Sequence, residues 1–225
     1  MEGPRVVGQA VAAGVHLELL ALRESDLGDA ETWAPLWAEG WEADHKVTLA
    51  RGVFRTLSQT ESPQGVLAVG RAAFATFATA AAASKGAGWP LVVLDRVQDP
   101  GNVGAIARTA AAVGAPAMVV LPGTADPFGA KAIRASAGHI FNLLVAEAEW
   151  ADLEDLRCLG ASASGSALEE AKLLEADAIV FGSEAHGLSR PLETVALPMA
   201  PGVESLNVAA AAAVLLYEVR RRISR

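Results

Sequence analysis

The chain has 225 residues, 52% of them hydrophobic, so it can bury a substantial core and is not a disordered polymer. Its formal charge of −8 excludes a general, sequence-independent nucleic-acid binder, whose affinity comes from cations on phosphates. A single cysteine, Cys158, excludes an internal disulfide and points to a reducing, cytoplasmic setting.

From the start, "MEGPRVVGQAVAAGVHLELL" lacks the basic segment and clean apolar segment of a signal peptide. Within it "GPRVVGQAVAAG" reads as helix and "VHLELLAL" as strand. Trp33, Trp37 and Trp41 fall four apart, the spacing of one helix face, and a core or interface stripe suits them better than base stacking. "TLARGVFRTLSQT" reads as a further helix, and "ESPQGVLAVG" as a turn followed by a short buried strand. The Ala/Thr-rich run "RAAFATFATAAAASKGAGWP" suits a short helix relaxing into a linker. This divides the chain into a small α/β domain over 1–80, a linker over 81–88 and a larger domain over 89–225.

Beyond the linker, apolar runs alternate with helical stretches: "PLVVLD", "NVGAIARTAAAVG", "AMVVLP", "KAIRASAGHIF", "NLLVA", "DLEDLRCLG", "DAIVFGSE", "VALPM" and "SLNVAAAAAVLLYEVRRRI". Such alternation predicts an α/β fold with a mostly parallel sheet covered on both faces. The apolar run "VAAAAAVLLY" is about half the ~20 residues a bilayer span needs, so no membrane partner is expected. Polar and glycine residues gather after three strands: "DRVQDPGN" after "LVVL", "GSEAHGLS" after "AIVF", and "APGVESLN" after "VALPM". Ligands of parallel α/β sheets bind at the carboxyl ends of strands, so these three loops form a candidate site.

Several chemistries fail on spacing. "GNVGAI" is not the G-x-G-x-x-G of a dinucleotide site, and no Gly-Lys-Ser/Thr phosphate loop occurs. "GASASGS" does not fit a nucleophile elbow. His16, His45, His139 and His186 are scattered beside one cysteine, so no metal site is expected. Five polar residues remain in or beside the loops: Asn102, Arg108, Glu184, Ser205 and Asn207. Each has a structural alternative. Asn102 suits a turn or a helix cap, Ser205 or Asn207 a cap for the last helix, and Glu184 an exposed loop acid. Arg108 stands apart, because "VGAIARTAAAVGA" is otherwise small and apolar. A helix buried on most faces places its guanidinium inside, paired or facing a cleft.

Together "DRVQDPGNVGAIART", "IVFGSEAHGLS" and "ALPMAPGVESLNVAAAAAVLLYE" resemble, in order, the three motifs of the SpoU (TrmH-type) RNA 2′-O-ribose methyltransferases. "KAIRASAGHIF" is also similar to a segment of that family. The first domain, through "VFRTLSQTESPQGVLAV", resembles the ribosomal-protein-L30e-like substrate domain that precedes the catalytic domain in many members. Members with this domain usually carry a further helix and strand before the equivalent of "EGPR", so the resemblance implies an abbreviated substrate domain here. It also implies a C-terminal trefoil knot, S-adenosylmethionine as cofactor, an RNA substrate (rRNA somewhat ahead of tRNA) and a homodimer. Carried over by residue, Asn102, Arg108, Glu184, Ser205 and Asn207 fall on catalytic motif positions. Gly182, Leu197 and Leu206 fall on cofactor-lining ones.

Within that resemblance Arg108 takes the role of stabilising the developing alkoxide and gripping a phosphate. A guanidinium with a pKa above ~12 is a poor general base. Both parts of the chain are acidic, with 7 Lys+Arg against 10 Asp+Glu through Lys85 and 11 against 16 beyond it. RNA must therefore be held by a local cationic patch or by shape. Two other readings stand beside this one: a non-catalytic RNA-binding or assembly protein on the same fold, and a small-molecule enzyme of doubly wound fold.

Overall fold

The computed structural model describes residues 1–24 and 40–224. The first part packs helix α1 (Pro4–Ala12) and helix α2 (Arg51–Leu57) with a three-stranded sheet. Strand β1 (Leu17–Arg23) lies at its centre, parallel to β2 (Ala43–Leu49) and antiparallel to β3 (Val66–Gly70). Val7, Leu17, Leu20, Leu22 and Val66 fill the small core. Trp41 joins them at 4% exposure, but from the turn before β2 rather than from a helix. The helical stripe of tryptophans thus fails at Trp41, because the chain is about to pair with β1; Trp33 and Trp37 lie outside the described residues. For the same reason Thr48 and Leu49, expected in a helix, complete β2 instead.

Helix α3 (Phe77–Gly86) follows, capped by Thr76, whose hydroxyl accepts the Thr79 N–H at 3.2 Å. The 81–88 stretch, expected as a linker, is thus helical as far as Gly86. Ala80 is fully buried with Leu91, Val93 and Val180, so α3 covers one face of the larger sheet. Non-helical chain between the two sheets comprises 71–76, where Ala75 donates its N–H to the Val145 carbonyl at 2.8 Å, and the short turn 87–90 between α3 and β4.

The larger sheet has seven strands in the order β6-β5-β4-β9-β7-β10-β8, every neighbouring pair parallel. They are β4 (Leu91–Asp95), β5 (Ala117–Val120), β6 (Leu144–Glu147), β7 (Cys158–Ser162), β8 (Ser166–Ala167), β9 (Ala178–Gly182) and β10 (Glu193–Ala196). Central strands β4 and β9 are buried at every position, as strands covered on both faces must be. Their residues alternate between α3 on one side and helices α4 (Pro100–Val113) and α6 (Val208–Ile223) on the other. Short helix α5 (Ala130–Ala135) packs against α4. The run "DLEDLRCLG", which straddles two elements, is a 3-10 turn over Trp150–Leu153 and then β7.

Local chemistry sets the helix ends. Pro100 opens α4, and Asp99 caps it by accepting the Gly101 N–H at 3.0 Å. Gly114 closes it in the left-handed conformation, φ 82°. Helix α6 ends on Arg220, Arg221 and Arg222, cations suited to the negative end of the helix dipole. Fully buried Ile106 on α4 and Leu216 on α6 each contribute roughly 1.5–3 kcal/mol by leaving water.

Candidate functional site

The turns after β4 and β9 and the chain between β10 and α6 meet at the carboxyl edge of the sheet. A hydrogen-bond chain ties them together. Asn102, in the first turn of α4, donates from Nδ2 to Glu184 Oε1 at 2.5 Å and accepts at Oδ1 from Asn207 Nδ2 at 3.1 Å. Asn207 Oδ1 in turn accepts the N–H groups of Ala209 and Ala210 at 3.0 and 3.3 Å, capping α6. Asn207 is therefore both a helix cap and part of the site, while the cap of α4 is Asp99 rather than Asn102. Lys131 bonds Asp99 at 2.6 Å, and that ammonium, then the Gly101 N–H, holds the carboxyl below its ordinary pKa.

Behind this chain lies a cleft of about 610 Å³. Gly182, Glu184, Leu197, Ser205, Leu206 and Asn207 all line it, with Val195, Met199 and Leu215 supplying apolar wall. Gly182 is at the limit of close approach: a Cβ there would stand 2.5 Å from the Gly187 carbonyl carbon. Ser183 and Gly187 exchange backbone hydrogen bonds at 3.0 and 2.8 Å, closing the loop tightly on itself. Leu206 stays 46% exposed and Ser205 is exposed. The lining includes one carboxylate, Glu184, and no lysine or arginine, so it suits a ligand with an apolar body and a positive charge.

Arg108 departs from expectation. It lies on the exposed face of α4, opposite Ile106, Ala107 and Ala110, and does not line the cleft of its own chain. Among the described residues it has no hydrogen bond or ion pair. The helix is apolar on the faces that meet the sheet and α6, and Arg108 occupies the face that meets neither. His186 stands exposed at the cleft wall.

One residue escaped the sequence reading. Asp95 ends β4 at 1% exposure, and its Oδ2 accepts the Ser189 N–H at 2.5 Å. This bond fastens the loop after β9 across the end of β4. The signal was an acid closing the wholly apolar run "PLVVLD". A second cavity, of about 370 Å³ and lined by Leu19, Val47, Leu57 and Ile133 among others, shares no residue with the three loops.

A parallel α/β sheet whose carboxyl-edge loops close over one small-molecule cleft, beside a separate small α/β unit, defines a two-part ligand-binding protein of the α/β class. Residues 90–217 match the model of the SpoU rRNA Methylase family, and residues 1–68 match that of the MRM3-like substrate binding domain. The chain belongs to the SpoU rRNA methylase family. It is 31% identical over 234 residues to 23S rRNA (guanosine(2553)-2′-O)-methyltransferase RlmP of Bacillus subtilis (strain 168), an alignment covering 98% of this chain and 87% of the relative. Among solved structures it is similar to the SpoU methyltransferase AviRb from Streptomyces viridochromogenes in complex with AdoMet. That match has TM-score 0.83 and 25% identity, over 100% of this chain and 89% of that one. An AdoMet-bound rRNA methyltransferase from Sinorhizobium meliloti matches with TM-score 0.80 and 25% identity, over 99% and 87%.

Proposed function

We propose that this protein transfers a methyl group from S-adenosylmethionine to a ribose 2′-oxygen of RNA, with rRNA as the substrate class. The observation that carries the reading is the Glu184–Asn102–Asn207 hydrogen-bond chain, which joins all three motif loops at the mouth of one cleft. The cleft fits the cofactor: its volume lies in the range of small-molecule sites, its wall is apolar, and its one charged side chain is an acid. Val195, Leu197, Leu206 and Leu215 would hold the adenosyl part, and the backbone at Gly182 would approach it closely. When bound, S-adenosylmethionine supplies an electrophilic methyl carbon on a sulfonium. Glu184, fixed by Asn102, places negative charge at the cleft wall. Ser205 and Asn207 orient groups at its rim. Arg108 grips a phosphate and steadies the negative charge that grows on the ribose oxygen.

Arg108 stands outside its own cleft, which favours a homodimer in which a second copy completes the site. Val214 and Tyr217 on α6 and Val203 and Leu206 before it are large apolar side chains each at least 46% exposed, and α6 packs beside α4. The protein is expected to sediment at about twice its 23.1 kDa chain mass. A knotted carboxyl edge belongs to this reading, and the packing of α3 on the larger sheet supports a domain boundary at 71–76 rather than at 81–88. Among the described residues no helix is long and apolar enough to cross a membrane, and no three His, Cys, Asp or Glu side chains cluster as a metal site.

Isothermal titration of the full chain with S-adenosylmethionine tests the cofactor assignment. One saturable site per chain is expected, and its absence in folded protein would count against the reading.

A further inference from the structure

Among the described residues beyond α3, carboxylates already engage several cations: Lys131 by Asp99, Arg157 by Glu175 and Glu193, Lys172 by Glu175, Arg221 and Arg222 by Glu218. An acidic protein that holds RNA must do so with cations left over. Two arginines sit at the carboxyl edge whose terminal nitrogens take no hydrogen bond among the described residues, Arg96 meeting a carboxylate only through Nε, 3.7 Å from Asp95, and the structure holds each of them in place.

Arg96 follows the buried Asp95 and takes the left-handed conformation, φ 58°, which costs a non-glycine residue of order 1 kcal/mol. Thr124 locks it there, accepting the Arg96 N–H at 3.0 Å while donating to the Leu94 carbonyl at 3.0 Å. The stem lies against Gly123, where an added Cβ would come within 3.1 Å of Arg96 Cγ. Its Nε is buried without a hydrogen-bond partner and stands 3.7 Å from Asp95 Oδ1, within attraction but beyond bonding distance. The side chain as a whole is 39% exposed.

Arg190 lies over the ring of Trp150 at 5.4 Å. Trp150 is itself fixed by donating from Nε1 to Ser189 Oγ at 2.8 Å, and the Ser189 N–H bonds Asp95. Arg96, Asp95, Ser189, Trp150 and Arg190 therefore form one contiguous network. A guanidinium held over an aromatic face keeps N–H donors available, and such a fork can bind a phosphate bidentately. Each arginine also shares a short segment with a site residue: Arg96 precedes Asn102 by six positions, and Arg190 follows Glu184 by six.

We propose that Arg96 and Arg190 form a clamp for RNA backbone phosphates flanking the target nucleotide, with Asp95 and Trp150 as the residues that position it. This rests on the methyltransferase reading. Arg96 approaches from the β4–α4 turn and Arg190 from the far end of the loop that carries Glu184. The phosphates they hold therefore lie beside the cleft mouth rather than on the first domain.

The test measures affinity of the full chain for a fluorescein-labelled stem–loop covering the position-2553 guanosine of 23S rRNA, the nucleotide in the Bacillus subtilis relative's name, across a salt series. Wild type is compared with Arg96→Gln, Arg190→Ala, the double variant and Arg220→Ala, a cation near Gly114 at the opposite edge. Each clamp variant should lower the slope of log K against log salt by about 0.7, or about fivefold in affinity at 0.1 M salt, and the double variant by about twice that slope. Arg220→Ala should match wild type. S-adenosylmethionine affinity and kcat at saturating RNA should hold while KM for RNA rises. Arg190 is exposed, so Arg190→Ala keeps the test informative even if Arg96→Gln perturbs the turn. An unchanged slope in either clamp variant, or an equal loss in Arg220→Ala, would overturn the clamp. Because binding is read without turnover, a wild-type chain that binds RNA through this clamp yet transfers no methyl would sink only the methyltransferase reading.

Discussion

Replacing Arg108 by alanine separates chemistry from stability. The side chain is exposed and has no hydrogen bond or ion pair among the described residues. Alanine is also at least as good a helix former. The stability change should therefore stay within about 0.5 kcal/mol, a melting shift of about 1–2 °C for a chain of this size. S-adenosylmethionine affinity should hold, because Arg108 is absent from the cleft lining of its own chain. Single-turnover methylation should fall by roughly two to three orders of magnitude, as when one donor to a developing oxyanion is lost. Arg108→Lys should recover little, since an ammonium cannot reproduce the planar fork. The assay reads melting temperature, cofactor affinity and single-turnover rate on the same preparations. A variant that keeps its rate, or that melts many degrees early while retaining its rate per folded molecule, would refute the catalytic role.

Other substitutions probe the frame around the site. Asn207→Ala removes the α6 cap and the link to Asn102, and should lower stability by about 1 kcal/mol in denaturant titration. Asn207→Asp keeps the acceptor for the cap, so it should melt near wild type yet methylate more slowly. Gly182→Ala places a carbon 2.5 Å from the Gly187 carbonyl carbon, and should abolish measurable cofactor binding in calorimetry and lower the melting temperature. Glu218, bonded by Arg221 and Arg222, has its pKa lowered from 4.5 to about 2. Its folded-state pKa lies below the unfolded value, so its stabilisation is full above about pH 4.5 and is lost as pH falls toward 2. In melts across that window Glu218→Gln should show a weaker acid dependence than wild type, and an identical curve would contradict this.

The parallel sheet was legible because β4, up to its final Asp95, and β9 are short apolar runs that recur between helical stretches, as strands buried on both faces do. The three loops were legible for a related reason: polar residues cluster where strands end. What the sequence hid was tertiary. Trp41 shared a helical spacing with Trp33 and Trp37, yet pairing of β2 with β1 decided its conformation. The 81–88 segment read as a linker because alanine and glycine are small, whereas small residues are also what lets α3 lie close on the sheet. Arg108 looked buried because its neighbours are apolar. Composition alone does not reveal that 105, 108 and 112 share the one face of α4 that the sheet and α6 leave uncovered. Asp95 and the clamp network depend on a contact between residues 95 and 189, which no local pattern announces.

The central claim is ribose methylation, and the most direct measurement is mass-spectrometric mapping of 2′-O-methylated nucleotides in rRNA and tRNA from cells with and without this protein. One ribose methylation should disappear on deletion, return with the wild-type chain and fail to return with Arg108→Ala. A methylation map unchanged by deletion, with the protein expressed and bound to RNA in the parent cells, would contradict the account and favour a non-catalytic assembly protein on the same fold.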